Sequence, residues 1–380
     1  MPEKIRIGLA VFIGLLLAIS TQTNYRLTEN LGLGEFGLGL FIGYAFLVCC
    51  VRANALQFHQ RHKAILVLMG YMIFVLLPVT LVHDIEGYSG SSFRDWLAYM
   101  LAILAIVAMV VTEVNTTLAA RAAVIFCLLI FSIQYVFGGE QSWYYAVRFT
   151  GGAKNPNQLA LAVICCVLLT FASGFGKTVK LLLVAIAIFF GVLSVSDAFF
   201  VFLVCTLSAS VVLHLLPQQY RAVLLIPALI VPASFLVLIL DDIKRKVSYL
   251  WYLADEGDTR LTLFSNGIDA WLSGFLSFFL GNGAGSFSGF NNAFEGVEAH
   301  NTPIDLLAIG GLLGLVVIYY LPVKNAVMSY RLNEKMVFAG SAGLIVYSLF
   351  HYIIRHPIYW FTLFVVAEYL SMVYARRREA

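Results

Sequence analysis

Three short polar clusters stand out in a chain that is otherwise apolar. His300-Asn301 stands directly before Thr302-Pro303-Ile304-Asp305. Thr302 suits an N-cap, Pro303 suits the first turn and Asp305 can close a capping box, so this spacing predicts a helix start at 302. His300 then sits beside the positive end of that helix. An imidazole titrates near neutrality, so the chemistry on offer is proton transfer. The plainer reading of His300 is an interfacial polar residue that hydrogen-bonds its loop. The second cluster runs from Arg148 through Gly151, Gly152 and Lys154 to Asn155-Pro156-Asn157. Asn155 as N-cap, with Pro156 in the first helical position, would turn backbone N–H groups toward a mouth shared with Arg148 and Lys154. Two cations and a helix N-terminus suit a phosphate. Its plainer reading is a snorkelling arginine and a turn. The third feature, Arg260, opens an amphipathic segment. Alone it reads as a solvated end charge.

The elements that must position these residues follow from composition. The chain has 380 residues, of which 61% are hydrophobic and 12% charged, with a mean hydropathy of +0.89. That charged share is about half the usual one and cannot cover the surface of a soluble protein of this size. The composition predicts an all-α polytopic membrane protein, because only helices and closed barrels satisfy their backbone in lipid. A net charge of +3 is too small to argue for nucleic acid. Cys49, Cys50, Cys127, Cys165, Cys166 and Cys205 all lie in apolar runs and read as small hydrophobes. Lys4 and Arg6 before an apolar stretch resemble a signal peptide. The many spans that follow favour an uncleaved first helix.

Twelve stretches are apolar enough to be candidate spans: 5–20, 31–51, 64–82, 96–111, 118–137, 157–174, 178–194, 198–216, 221–240, 302–321, 336–354 and 357–375. With both termini in the cytoplasm, fifteen of the 24 Lys and Arg residues fall inside, which is the expected bias. The chain divides into N-terminal helices over 1–137, a central unit over 138–321 and C-terminal helices over 322–380. The central unit contains a large outer loop at 241–301. Within it, Leu261, Phe264, Ile268, Trp271, Leu272 and Phe275 have helical spacing and predict an amphipathic helix at the outer membrane surface, capped by Asp258 or Thr259. Gly281-Asn282-Gly283-Ala284-Gly285 reads as a flexible turn. Gly310, Gly311 and Gly314 would let a neighbouring helix approach closely. Glu368, inside the last span, needs a partner such as Arg355 or a polar neighbour. Asp197 and Asp269 are possible sugar contacts. His83, His214, His351 and His356 read as interfacial packing, and Arg355-His356-Pro357 as a short outer turn that could line the mouth.

Taken together the clusters resemble the bacterial O-antigen ligase family. His300-Asn301, nine residues, then Gly311-Leu312-Leu313-Gly314 is similar to that family's histidine signature. Arg148…Gly151…Asn155-Pro156-Asn157 looks like its first arginine block. Arg260, with Gly281-x-Gly283-x-Gly285 after the following helix, looks like its second. The resemblance covers roughly residues 140–321, and O-antigen and exopolysaccharide polymerases share the same domain. One position departs: where many members carry Ser-Arg after the seventh span, this chain reads Ser196-Asp197.

The resemblance implies a metal-independent, cofactor-free glycosyltransferase of the bacterial inner membrane. It implies transfer of a glycan from undecaprenyl pyrophosphate to a lipid A–core sugar on the periplasmic face. His300 would be the general base, and Arg148 and Arg260 the pyrophosphate clamp. Lys154, Asn155, Asn157 and Asn301 would contribute to substrate binding. The expected partners are the lipid-linked donor, a lipid A–core or glycan acceptor, and membrane lipids. A polymerase using the same site is the alternative within this class. A lipid-linked glycan transporter is the alternative outside it, although transporters favour polar residues near the midplane.

Overall fold

A computed structural model of the chain describes residues 3–28, 31–51, 62–85, 92–144, 147–246, 256–290 and 293–379. Its elements are almost all helical. The first group is α1 (Glu3–Ser20), α2 (Leu33–Val51), α3 (Lys63–Tyr71), α4 (Leu77–Ile85), α5 (Ser92–Val111) and α6 (Thr116–Phe137). A π-helical turn over Met72–Leu76 joins α3 to α4. Then come α7 (Pro156–Ala172), α8 (Lys177–Leu193), α9 (Asp197–Leu215) and α10 (Gln218–Lys246). Two helices, α11 (Glu256–Trp271) and α12 (Phe275–Leu280), precede α13 (Thr302–Arg331), α14 (Lys335–Tyr347) and α15 (Pro357–Glu379). Two small hairpins complete the set, β1 (Arg26–Thr28) with β2 (Leu31–Gly32) and β3 (Trp143–Tyr144) with β4 (Arg148–Phe149).

Seven helices among the described residues are long and apolar enough to cross a membrane: α2, Lys63–His83, the α5 segment from Phe93, α6, α9, α13 and α15. Pro156–Ala172, Gln219–Ser234 and Lys335–Tyr347 are shorter apolar helices. This is an all-α membrane protein. Several boundaries differ from the sequence reading. Helix α10 stays helical through Lys246, so the segment before α13 starts later than residue 241. Helix α14 ends at Tyr347, which leaves 348–356 as a loop rather than the end of a span. Ser194-Val195-Ser196 does break the chain: Ser196 caps α9, its hydroxyl accepting from the Phe199 N–H.

The core is built around α7 and the first half of α15. Helix α7 is apolar on all faces and buries Leu159–Leu169 throughout, as expected of a helix surrounded by others. It packs on α6, α8, α14 and α15, while α1 lies on α6 and α2, and α9 lies against α10 and α14. The two ends of the bundle differ. One end gathers Arg6 beside Glu113, Arg121 donating to the Ser173 and Gly174 carbonyls, and Arg377 3.5 Å from Glu334. The other end carries the starts of α5, α7, α9, α13 and α15, and with them the predicted site residues.

The glycine segment after α12 is not a flexible turn. Its backbone lies between α4 and α13, with Asn282 and Gly283 donating to the Ala308 and Ile309 carbonyls (both 2.9 Å) and Ala284 donating to Thr80 Oγ1 (2.9 Å). Helix α13 breaks opposite this segment, at Gly311 (φ +60°, ψ −164°), where a Cβ would lie 2.4 Å from the Phe279 backbone. One turn around, Gly310 and Gly314 face the Tyr71 hydroxyl, at 2.3 and 2.5 Å from where their Cβ atoms would be. These glycines admit a close neighbour, as their spacing suggested, but the neighbours are a tyrosine tip and the end of a short helix.

Candidate functional site

Asn301, not Thr302, caps α13: its side chain accepts from the Ile304 N–H at 3.2 Å. Asp305 accepts from the Asn301 N–H (3.2 Å) and from the Ala299 N–H (2.7 Å), the reciprocal bond of a capping box displaced by one residue. Thr302 is thereby free to bond elsewhere. Its hydroxyl donates to the His351 carbonyl (2.6 Å) and accepts from the Ile353 N–H (3.3 Å). Its own N–H donates to the Ser348 carbonyl (2.8 Å), and Asn301 Nδ2 donates to the Leu349 carbonyl (2.9 Å). The loop between α14 and α15 is therefore fastened to the start of α13.

This fastening brings His351 to His300. The two rings lie 5.9 Å apart with planes inclined by 17°. His300 has a positive φ of 54°, a conformation that a non-glycine residue holds only when its surroundings impose it. Glu298 Oε1 is 3.7 Å from His300 Nδ1, and Glu298 Oε2 is 3.6 Å from Arg355 Nη1. Arg355 Nη2 in turn lies 3.2 Å from Asp95. The Arg355 guanidinium covers the rings of Phe287 (5.0 Å) and Tyr352 (5.3 Å). Burial opposes the Arg355 charge, but Glu298 and Asp95 outweigh it and push its pKa up. His351 is 1% exposed, and burial holds its pKa well below the ordinary value, helped by the charges of His300, His356, Arg260 and Arg355. His356, half-buried, is pulled down from 6.5 to about 4 by desolvation and by Arg355.

Arg148 sits on β4, opposite Tyr144. Its neighbour Phe149 is buried against Trp143 (5.3 Å), Phe190 (5.7 Å) and Tyr135 (5.8 Å), and this aromatic cluster anchors the hairpin. Arg148 Nε donates to the Ser194 carbonyl at 3.2 Å, beside Val195, whose φ of +47° is unusual for a β-branched residue. Asn155 caps α7 through the Gln158 N–H (2.9 Å). The Asn157 side chain accepts from Ser196 Oγ (2.7 Å), and its carbonyl accepts from the Tyr347 hydroxyl (2.6 Å). Tyr347 lies within reach of the Arg148 charge and packs edge-on against His351 at 6.0 Å. Arg260 is in the first turns of α11, a helix set against α13 by the close approach of Gly267 to Ile304. The inner face of α11 is Leu263, Gly267 and Ala270. The apolar side marked by its periodicity is outward: Leu261 is 71%, Leu272 56% and Phe275 78% exposed. Residues 247–255 and Asp258 as a capping side chain lie outside the described residues.

His300 thus stacks on His351, the Arg260 charge reaches that ring, and the Arg148 charge reaches Tyr347 beside it. Lys154 stands apart. It lines a cavity of about 740 Å³ together with Arg94, Arg355 and His356. Asn155 and Asn301 use their side chains to hold backbone groups at or beside helix starts, and the Asn157 side chain accepts from the Ser196 hydroxyl. The sequence reading missed Glu298 and Asp95 and took His351 for interfacial packing, and it offered Arg355 as part of an outer turn and as a partner for Glu368. The signal for Glu298 was its position two residues before His300. His351 carried no such signal, because the loop's attachment to α13 is a long-range contact. Glu368 pairs with His62 at 3.3 Å, on the far end of the bundle, and not with Arg355. Among the described residues, no three His, Cys, Asp or Glu side chains gather as metal ligands. No protein-family model matches the chain, and no curated protein matches it.

Proposed function

We propose that this chain is an inner-membrane glycosyltransferase that moves a glycan from undecaprenyl pyrophosphate to a lipid A–core sugar, as its resemblance to O-antigen ligases implies. What supports the reading is that His300 stacks on His351, that the Arg260 charge reaches the same ring, and that the Arg148 charge reaches Tyr347, which packs edge-on against His351. Twelve spans with both termini in the cytoplasm would put this end of the bundle in the periplasm. The seven long apolar helices support the membrane part of that arrangement, and the Lys and Arg bias supports its direction.

In the proposed step, the acceptor hydroxyl oxygen attacks the anomeric carbon of the donor sugar. The bond from that carbon to the pyrophosphate oxygen breaks, and the pyrophosphate leaves on its lipid. His300 takes the hydroxyl proton, with Glu298 beside its ring to orient it. Arg148 and Arg260 stabilise the charge that grows on the leaving group, a role in which fixed cations are most effective away from bulk water. No metal is required, because two guanidinium groups occupy its electrostatic role.

The test is transfer from a lipid-linked donor by purified protein. His300→Ala, Arg148→Ala and Arg260→Ala should each lose transfer while remaining folded, and chelator should leave the parent's rate unchanged. Near-normal transfer by folded His300→Ala would remove the base. Ligase and polymerase readings separate in the native host: deletion leaves a bare lipid A–core for a ligase, and a core capped by a single repeat for a polymerase. Substrate flux across proteoliposomes without covalent change would favour the transporter.

A further inference from the structure

The loop that carries His351 and Arg355 is gripped from outside the central unit, by α5. Asp95 and Tyr99 stand four residues apart on that helix, so they share one face, a turn apart. Asp95 holds Arg355 Nη2 at 3.2 Å, and the Tyr99 hydroxyl meets the Tyr352 hydroxyl at 2.5 Å. Asp95, Tyr99 and Tyr352 are all buried. The Arg355 guanidinium also lies on the rings of Phe287 and Tyr352, which pack edge to face with each other at 5.0 Å. A planar fork gripped at its edge and laid on two locked rings has a fixed heading.

That heading is toward the imidazole. Arg355 Nη1 is 3.6 Å from Glu298 Oε2, and Glu298 Oε1 is 3.7 Å from His300 Nδ1. One carboxylate thus turns one oxygen to the arginine and the other to the histidine ring. The backbone beneath the ring is fixed separately. Asp305 accepts from the N–H groups on both sides of His300, Ala299 at 2.7 Å and Asn301 at 3.2 Å. Those bonds leave the side-chain torsions of His300 open. Glu298 closes them, since an imidazole whose Nδ1 faces a carboxylate presents Nε2 on its far side.

We infer that Arg355 and Asp95 are positioning residues for the transfer: Asp95 sets the guanidinium, the guanidinium sets Glu298, and Glu298 sets the imidazole of His300. This role rests on the reading above, in which His300 is the base. Neither Arg355 nor Asp95 touches the reacting atoms. Asp95 also lies outside residues 140–321, over which the family resemblance runs, so the first group of helices takes part in the site through it. The groups that bear on the imidazole's charge come from five places. They are Glu298 from its own loop, Asp305 from α13, His351, Arg355 and His356 from the loop before α15, Arg260 from α11 and Asp95 from α5.

The experiment uses isotope-labelled histidine in the purified full chain, follows the His300 ring signal against pH by NMR, and measures kcat and KM for transfer from a lipid-linked donor. Loss of the signal in His300→Ala assigns it. Arg355→Gln removes a positive charge facing Glu298 and should raise the His300 titration midpoint, whereas Asp95→Asn removes a negative charge and should lower it. Glu298→Gln should lower it most, by about one pH unit. On the plateau of the pH–rate profile, where the imidazole is neutral in every variant, Arg355→Gln and Asp95→Asn should each cut kcat by roughly tenfold or more with KM little changed. A residue that only supported the fold would lower the melting temperature without moving the midpoint in opposite directions. Plateau kcat equal to the parent's in both variants would overturn the positioning role. So would a raised KM with kcat intact, which marks a substrate contact. Asp95→Asn keeps the side chain's shape and carries the test by itself should Arg355→Gln not fold. Midpoints that move as stated in a parent that transfers nothing would keep the chain of contacts and defeat the transferase. Transfer lost in His300→Ala but intact in the other two variants would keep the base and defeat the positioning.

Discussion

His300 and His351 stack at 5.9 Å, yet only one of them is open to a substrate. His300 has a third of its side chain exposed, whereas His351 is closed in and neither of its ring nitrogens has a hydrogen-bond partner among the described residues. The two rings therefore serve different ends, since one can exchange a proton and the other is a neutral wall. His300→Ala should cut transfer by about 100-fold or more. His351→Phe keeps the wall and removes two unsatisfied buried polar atoms, a change that is commonly neutral or stabilising. Its melting temperature should equal or exceed the parent's. A large drop in that temperature would show that His351 makes a polar contact the fold depends on.

Acid should loosen this end of the protein. His356 has a folded pKa of about 4 against 6.5 in the unfolded chain. Between those values the unfolded chain takes up the proton first. The stability contributed by the neutral ring is complete above pH 6.5 and is lost as pH falls toward 4, up to about 3 kcal/mol. His351, depressed for the same reason, acts in the same direction. Thermal melts from pH 7 to 4 should show the decline, and a variant with phenylalanine at both positions should flatten it.

Arg355 joins two carboxylates, the buried Asp95 and the half-buried Glu298. Arg355→Ala leaves Asp95, which is 5% exposed, without its counter-charge and should cost about 2 kcal/mol or more. Adding Asp95→Asn should recover part of that loss. A double-mutant cycle measures the coupling, and strict additivity of the two changes would show that the ion pair does not support the fold.

Gly310 is confined by a single atom. A Cβ there would lie 2.3 Å from the Tyr71 hydroxyl, and the next atom, Tyr71 Cζ, is 3.6 Å away. Gly310→Ala should therefore destabilise by about 1–3 kcal/mol. Tyr71→Phe should relieve most of the cost, even though it gives up the bond to the Gly310 carbonyl. If the double variant melts no higher than Gly310→Ala alone, the close contact lies elsewhere.

Much of this arrangement was legible in the residues, and the rest fails for identifiable reasons. Apolar runs mark helices because lipid leaves the backbone no other partner, and Asn155-Pro156 marks the start of α7 by local bonding alone. The N-cap of α13 was placed one residue late, since Asn301 and Thr302 are both good caps and Thr302 was claimed by the distant His351 carbonyl. The glycine run after α12 looks loose in sequence. Its order comes from Thr80 and from the α13 backbone, which are far away along the chain. Glu298, Arg355 and Asp95 form a set only after three chain segments meet. The exposed apolar side of α11 shows a further limit: periodicity identifies a greasy face without saying what covers it.

The double attachment of Thr302 also constrains how the site can open. His300 and Arg355 belong to segments stitched together at that residue, so they travel as one block. Arg260 rides on α11, which touches this block along a single small-residue face. A shift of α11 against this block would change the spacing of Arg260 to the imidazole and leave the imidazole's spacing to Glu298 as it is.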